Sequence, residues 1–527
     1  MNQFLHHTGK HNALTENLAV AHSTTGSILA DQFSKAGSQR GRDIKEVFAE
    51  QSALHHDDPV KALRFVFYLR MVSRKIRFWG GTTEKVQKGQ GNRDEAFKRF
   101  LWYANTHPDI FYSNLPLFIV VGRFQDFFDI LFLAYNYGVP MDTEKVLDVL
   151  FLYVRENPED VDLLKKYMPL PKAKSKIKTE RAKFMNLLAR KICAMLNLSA
   201  VQLRKWKASG TAHQWQQMIS VRKFTRIDFN KIPGRALAQI AGGDFLEKAD
   251  LVKRYTEWIK SQPIAKFTGY PYELGKRVSH RMKIHQKLTV DRQFSGLIDL
   301  ANQDRGGIQG NVWCALDTSG SMQFAPVEGI TSLEICLSLG IYFSTLNDGA
   351  FHKHVIMFDD RSRMMKLKGD FTDMWSQITT DRTAWGSTNF QSVVGEIVRI
   401  RVMYGDKIPL ADYPDTLLVV SDMQFNPTGS TQTNHEAQMS KLRNVFPPEW
   451  VDNFRVIWWD VTGRRPDNHP THIDEGGTYV FSGFDGAVLT LLLGGDEAQA
   501  GEKRALTLEQ AIDLALNQEI LQHIILK

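Results

Sequence analysis

The chain has 527 residues and a mass of 60.2 kDa, is 43% apolar and 24% charged, and has a formal net charge of +8. That length exceeds a single hydrophobic core and predicts two to four domains, and the composition excludes wholesale disorder. No apolar run reaches the ~20 residues of a membrane span, and the first residues lack the apolar core of a secretory signal. Three widely spaced cysteines, Cys193, Cys314 and Cys336, exclude a disulfide scaffold and a zinc finger and point to reducing cytoplasm.

The net charge hides a division. Residues 1–310 hold 49 Lys+Arg and 30 Asp+Glu, whereas residues 311–527 hold 17 and 28. Within residues 151–300 the counts are 30 and 13. One block therefore carries most of the positive charge, and a polyanion is its default partner.

In chain order, residues 1–54 are polar and weakly patterned and read as a loosely ordered arm with one or two short helices. From 55 to 305 the pattern is helical. VKALRFVFYLRMVSRKIRFW places Val60, Leu63, Phe67 and Met71 on one stripe. EAFKRFLWYANTHP, FQDFFDILFLAYNYG and EKVLDVLFLYVRENP repeat the style and stop at Pro108, Gly138 and Pro158. Successive amphipathic helices with short breaks predict a HEAT-like α-helical repeat array without a fixed period.

The character changes at the Gly-rich hinge near 302–307. NVWCALD, HKHVIMFDD, DTLLVVSDMQF, FRVIWWDVTG and GTYVFSGF read as strands. TSLEICLSLGIYFSTLN and segments 371–380, 389–403 and 434–446 read as helices between them. This alternation over 306–500 predicts a doubly wound, mainly parallel α/β domain with ligands at the carboxyl ends of its strands. Residues 501–527 form a tail. Thr507 and Gln510 fit a capping box, and Leu508, Ile512, Leu516, Ile520 and Ile524 make a stripe that must dock.

The strongest chemical signal is Asp317-Thr318-Ser319-Gly320-Ser321, at the end of the first strand of the α/β part. One carboxylate and two hydroxyls on a tight turn suit a small hard cation, Mg²⁺ or Mn²⁺. Gly386-Ser387-Thr388 adds a hydroxyl at a helix start, and Ser421-Asp422 adds a carboxylate at a strand end. Asp317, Ser319, Ser321, Thr388 and Asp422 together resemble the metal-ion-dependent adhesion site of a von Willebrand factor A domain, across about residues 310–500. The resemblance implies that Ser319, Ser321 and Thr388 touch the ion directly and that Asp317 and Asp422 act partly through water. One position is left for an acidic group of a partner.

The whole layout resembles the Ro autoantigen ribonucleoprotein family, in which a TROVE helical module precedes such an A-domain. It is still more similar to a little-studied group of plant, protist and large-virus proteins with the same two parts. The matching residues are Arg77-Phe78-Trp79-Gly80-Gly81, Gly89-Gln90-Gly91-Asn92-Arg93-Asp94, Asn114-Leu115-Pro116, Gly122-Arg123-Phe124-Gln125-Asp126 and Val420-Ser421-Asp422-Met423-Gln424-Phe425. In Ro proteins the helical repeats close into a ring that binds small noncoding RNA; whether they close here the sequence leaves open.

The candidate RNA contacts are Lys172, Lys174, Lys176, Lys178, Arg181 and Lys183, behind the rigid Pro169-Leu170-Pro171, together with Arg281 and Lys283 in a second cluster, 276–287. Such runs follow a phosphate backbone, with affinity that falls steeply with salt. Arg204-Lys205-Trp206-Lys207 and Arg222-Lys223-Phe224-Thr225-Arg226 interleave cations with aromatics that could stack on bases or equally serve as core. The cations could instead pair with the acidic half.

His469 and His472 read as surface histidines, and Asp359-Asp360 as an exposed turn. No nucleophile motif is found. The expectation is a monomeric, cytoplasmic binding protein that is not an enzyme and engages no membrane. Its helices hold RNA and its metal site holds an acidic group. The alternative is a protein–protein adaptor that grips a partner carboxylate through the metal, without RNA.

Overall fold

The computed structural model describes residues 13–15, 17–72, 74–77, 84–173, 177–210, 214–303, 312–326, 329–358, 361–381, 388–427, 434–462, 469–470, 472, 477–484 and 507–526. Lys174, Lys176, the hinge residues 304–311, Asp359-Asp360 and Gly386-Ser387 lie outside them. The fold class is the one expected: a helical region followed by a doubly wound α/β region. Among the described residues no single helix is long and apolar enough to cross a membrane.

The polypeptide builds two compact units, and it visits each more than once. The sheet unit comprises Met1–Gly41, Lys88–Asn92 and Pro233–Asn517; the helical unit comprises Arg42–Gln87, Arg93–Ile232 and Gln518–Lys527. The change of secondary structure near residue 305 is therefore not where packing divides. The helices between Gly234 and Gln303 belong with the sheet.

The described N-terminal residues are not a loose arm. An antiparallel pair, β1 (Ala13–Leu14) and β2 (Val20–Ala21), leads into the helix Ile28–Lys35. Ser27 caps that helix by accepting from Ala30 N.

The helical unit holds ten α-helices among its described residues, from Ile44–Asp57 to Gln214–Ser220. The helix carrying the Val60, Leu63, Phe67 and Met71 stripe ends at Arg70, and within the segment read as helical β3 (Arg74–Arg77) pairs antiparallel with β4 (Glu84–Gln87). Phe67, Phe100 and Phe118 are wholly buried, with the Phe100 and Phe118 rings 4.7 Å apart. A partly buried charge network centres on the wholly buried Arg99. Arg99 Nη2 meets Glu50 Oε2 at 2.9 Å, and Arg42 Nη2 meets Glu50 Oε1 at 2.7 Å.

Several of the motif residues pin this backbone. Asp126, wholly buried, accepts from Arg70 Nε at 2.8 Å and from Arg123 N at 2.7 Å. A Cβ on Gly122 would stand 2.4 Å from Asp126 Oδ2, so only glycine fits there. Asn114 exchanges hydrogen bonds with the Ile525 backbone, Nδ2 to O at 2.5 Å and N to Oδ1 at 2.8 Å.

Among the described residues of the sheet unit, six strands lie in the order β10-β9-β8-β5-β6-β7: β5 (Val312–Asp317), β6 (His354–Phe358), β7 (Arg363–Lys366), β8 (Thr416–Ser421), β9 (Arg455–Asp460) and β10 (Thr478–Ser482). All pairings are parallel except β6 with β7. β5 and β8 are buried at every residue, which is why they read as continuous apolar runs. The edge strand β7, Arg-Met-Met-Lys, gives no such signal.

From β5 the chain winds outward through β6 to β7, then returns to the other side of β5 with β8. The winding reverses between β5 and β8, and in open sheets the ligand crevice opens there, at the carboxyl ends. The helix Ser332–Leu346 packs on β5, its Gly340 set against Leu316. Ile28–Lys35 lies on β10, where Gly37 N donates to Ser482 Oγ at 3.0 Å.

The tail is not one helix. Leu508–Leu516 is helical, with the expected Thr507–Gln510 capping box, and buries Leu508, Ile512 and Leu516 in the sheet unit. After Asn517 the chain enters the helical unit as a 3₁₀ turn, Glu519–His523, which buries Ile520 and Leu521.

Candidate functional site

Asp317 is the last residue of β5, and Ser421 is the last residue of β8. Their backbones are adjacent because β5 and β8 pair directly, Leu316 opposite Val420. Ser421 Oγ donates to Asp317 Oδ2 at 2.5 Å, and Ser319 N donates to Asp317 Oδ1 at 2.9 Å. The turn after Asp317 brings Ser319 Oγ to 3.0 Å from Ser321 Oγ. Ser321 is exposed, Ser319 is buried, and Asp317 is wholly buried. The set thus runs from the sheet interior to the surface.

Asp422 follows β8 and is 7% exposed. Its Oδ1 accepts from Gln424 N at 3.3 Å. Met423 between them has φ +64°, the left-handed region that a non-glycine residue seldom occupies, and its N–H donates to Ser421 Oγ at 3.1 Å. Burial first, and the Asp422 charge second, push the Asp317 carboxyl up to about 7. Among the described residues, the groups that oppose this rise belong to Ser421 and Ser319.

Thr388 is buried, and its carbonyl accepts from Asn426 N at 2.9 Å. That bond ties the start of the helix Phe390–Tyr404 to the loop carrying Asp422. Four of the five expected oxygen-bearing residues are thereby connected directly or through Ser421, and Thr388 joins them through the 422–426 loop.

A metal fits the chemistry of this set. Two carboxylates close enough to repel, with hydroxyls beside them, form an oxygen donor set that suits Mg²⁺ or Mn²⁺. No group of three or more His, Cys, Asp or Glu side chains suited to a metal occurs among the described residues. The candidate set holds only two carboxylates, its other donors being hydroxyls.

By sequence, Ser421 reads only as a companion of Asp422. In the structure it is the residue that orients Asp317, and the polar end of an otherwise apolar strand is its signal. Cys336, on the helix behind, places Sγ 3.3 Å from Val420 O and 3.6 Å from Asp317 O. The N-terminal segment also supports the loop: Thr15 Oγ1 donates to Phe425 O at 2.8 Å and Asn17 Nδ2 to Gln424 O at 2.7 Å. No motif announces these two. His469, expected at the surface, is buried and pairs its backbone with His22, with Nε2 3.6 Å from Asp31 Oδ1.

The expected RNA contacts fall in both units. In the helical unit Lys172 and Lys178 are exposed. Arg181 and Lys183 are already engaged: Arg181 pairs with the buried Asp129, and Lys183 with Glu180 at 2.5 Å. In the sheet unit Arg281 is exposed, and Lys283 pairs with Glu247. A further cluster surrounds Lys207. It donates to Lys166 O at 2.9 Å and Met168 O at 2.6 Å, and burial, then the charge of Lys172, lowers its pKa. Arg204 Nη2 reaches Pro171 O at 3.0 Å. Lys165 lies over the half-buried Trp206, 5.9 Å from its ring centre. Lys166 and Lys207 line a cleft of about 510 Å³.

Residues 312–521 match a family described as a domain of unknown function, DUF7788. The chain is 22% identical over 524 residues to "Uncharacterized protein L728" of Acanthamoeba polyphaga mimivirus, covering 92% of this chain and 85% of that protein. It is also similar to the crystal structure of the Deinococcus radiodurans RO (RSR) protein, with a TM-score of 0.45 and 13% identity over 88% of this chain and 98% of the other.

Proposed function

We propose that the protein binds RNA through its helical unit and a divalent cation, Mg²⁺ or Mn²⁺, through its sheet unit, as a Ro-like member of the viral and eukaryotic group that its motifs resemble. The observation that carries the RNA reading is where charge lies. The helical unit holds 33 Lys+Arg against 21 Asp+Glu, and the sheet unit 33 against 37. The interface we assign is the exposed Lys172 and Lys178 with Arg204, Lys205 and the Lys166–Lys207 cleft, where cations gather on one segment and the helix beside it. Phosphate contacts by such a surface bind RNA without strong sequence preference.

At the sheet unit, Ser319, Ser321 and Thr388 would hold the ion with Asp317 and Asp422 behind them. The ion would supply a Lewis-acid position for one acidic group of a partner. The chain's own part is to fix that donor set: Ser421 orients Asp317, and the left-handed turn at Met423 presents Asp422. We read this as a binding site and not as a site of turnover.

The adaptor reading gains from the ion pairs at Arg181, Lys183 and Lys283, which remove three expected phosphate contacts. Purification from cells with the A260/A280 ratio followed separates the two. Copurified RNA that dissociates with salt supports RNA binding, and a nucleic-acid-free protein that captures partners only with Mg²⁺ present supports the adaptor.

A further inference from the structure

We propose that the sheet unit carries a second ligand site, separate from the metal centre, that binds a phosphate monoester through Arg277. A cavity of about 250 Å³ lies between the helix Gly234–Gly242, the segment 276–283 and the start of the helix Ile284–Gln303. Its polar wall is Arg277, Ser279, Gln286 and Thr289, whose hydroxyl is bonded to His285 O and Tyr255, and its apolar wall includes Ala238, Met282 and Val290.

Arg277 is half-buried and lacks the partner that such a cation normally has. Its only hydrogen bond among the described residues runs from Nη1 to Ala238 O at 3.1 Å, and Nε has none. A guanidinium carries five donors, so most of its capacity is unused. The nearest acid, Glu273, is committed elsewhere: Arg235 Nε donates to its Oε2 at 2.9 Å and Arg235 Nη2 to its Oε1. No carboxylate pairs with Arg277 among the described residues, and burial lowers its pKa. Glu273 offsets only part of the cost of half-desolvating this charge, and a bound anion would offset more.

The other polar groups narrow the chemistry. Gln286 is spent on its helix start, its Oε1 accepting from Lys283 N at 2.9 Å and its Nε2 facing Gly242 O at 3.4 Å. Ser279 is exposed and adds a hydroxyl donor beside the guanidinium. Residues 276–283 contain Lys276, Arg277, Arg281 and Lys283 and no acid; Lys283 is paired with Glu247, and the other three cations favour a phosphate over a neutral ligand. The volume lies just below the ~300–1,000 Å³ of drug-sized pockets, which admits a small phosphorylated molecule with an apolar or planar body. A free mononucleotide or the 5′-phosphate of an RNA chain presents that chemistry.

Calorimetry on the full chain in EDTA tests the site. AMP is expected to bind, and adenosine and benzoate at least tenfold more weakly. Arg277→Met should weaken AMP at least tenfold. Ser279→Glu, at an exposed position that leaves the fold undisturbed, should do the same by placing a carboxylate against the guanidinium. Asp317→Asn should leave AMP binding unchanged, which keeps this result independent of the metal site. A 5′-phosphorylated hexanucleotide that outbinds its 5′-hydroxyl form assigns the chain end as the source, and AMP binding alone assigns the free nucleotide. Equal binding of AMP and adenosine, no AMP binding at millimolar concentration, or indifference to Ser279→Glu would overturn the proposal.

Discussion

Ser421 Oγ stands 2.5 Å from Asp317 Oδ2, a hydrogen bond that joins the carboxyl ends of the two strands between which the sheet's winding reverses. Topology puts a ligand crevice there, and this bond sets one carboxylate within it. The same hydroxyl accepts from Met423 N, so a single serine orders Asp317 and the turn that presents Asp422.

Asp317→Asn keeps the side-chain volume at a wholly buried position, whereas alanine would open a cavity. Calorimetry with Mn²⁺ should show binding to the parent protein and none to Asp317→Asn. Ser421→Ala should weaken binding by about tenfold, roughly the worth of one charge-assisted hydrogen bond. With EDTA present, Asp317→Asn should melt no lower than the parent, because it relieves the repulsion from Asp422. Identical titrations of the three proteins would remove Asp317 from any metal site.

Two glycines should respond in opposite directions. On the helix Ser332–Leu346, a Cβ at Gly340 would come 2.3 Å from Leu316 Cδ2 in the central strand, so Gly340→Ala must displace a wholly buried side chain. It should cost about 1–3 kcal/mol, the range for overpacking a core. On the helix Phe390–Tyr404, a Cβ at Gly395 would meet nothing within 4 Å. Gly395→Ala should add up to about 1 kcal/mol through helix propensity. Urea denaturation measures both, and a stabilised Gly340→Ala would show that the helix packs on β5 differently.

Asp291 makes stability depend on pH. Buried in the helix Ile284–Gln303, it accepts from Thr372 N at 2.9 Å and from Thr372 Oγ1 at 3.2 Å. Lys287, paired with Asp373 at 2.7 Å, and Asp370 are the charges around it. Burial, the largest effect, raises its pKa from 3.8 to about 6. Between those values the folded state holds a proton that the unfolded state has released. Stability from this group is therefore full below pH 4 and is lost as pH rises to about 6. The loss is at most about 3 kcal/mol. Asp291→Asn should flatten that part of the stability–pH curve, and an unaltered slope between pH 4 and 6 would contradict the assignment.

The sheet was legible because its strands are buried on both faces. VWCALD and TLLVVS are unbroken apolar runs, and each ends in the polar residue that forms the site. The edge strand Arg363–Lys366 is short, with no buried residue, and leaves no periodic trace. β3 and β4 were hidden by a helical stripe that runs into them, because Val72 to Arg77 continue its apolar and basic spacing. The N-terminal residues looked loose because their order comes from contacts remote in sequence, such as Thr15 with Phe425 and Gly37 with Ser482. The donor set for the metal was legible as a spacing of oxygen-bearing residues. Ion pairing of Arg181 with Asp129 was not, since 52 residues separate them.

We propose that the helical unit binds RNA through phosphate contacts around Lys172. The most direct measurement is the salt dependence of RNA affinity, by fluorescence anisotropy, for the parent chain and for a variant with Lys172, Lys174, Lys176 and Lys178 all changed to Gln. The variant should bind every RNA tested more weakly, with the slope of log K against log salt reduced by about 0.7–0.9 for each phosphate that it no longer neutralises. An unchanged affinity and slope, or a parent protein that binds no RNA at low salt, would contradict it.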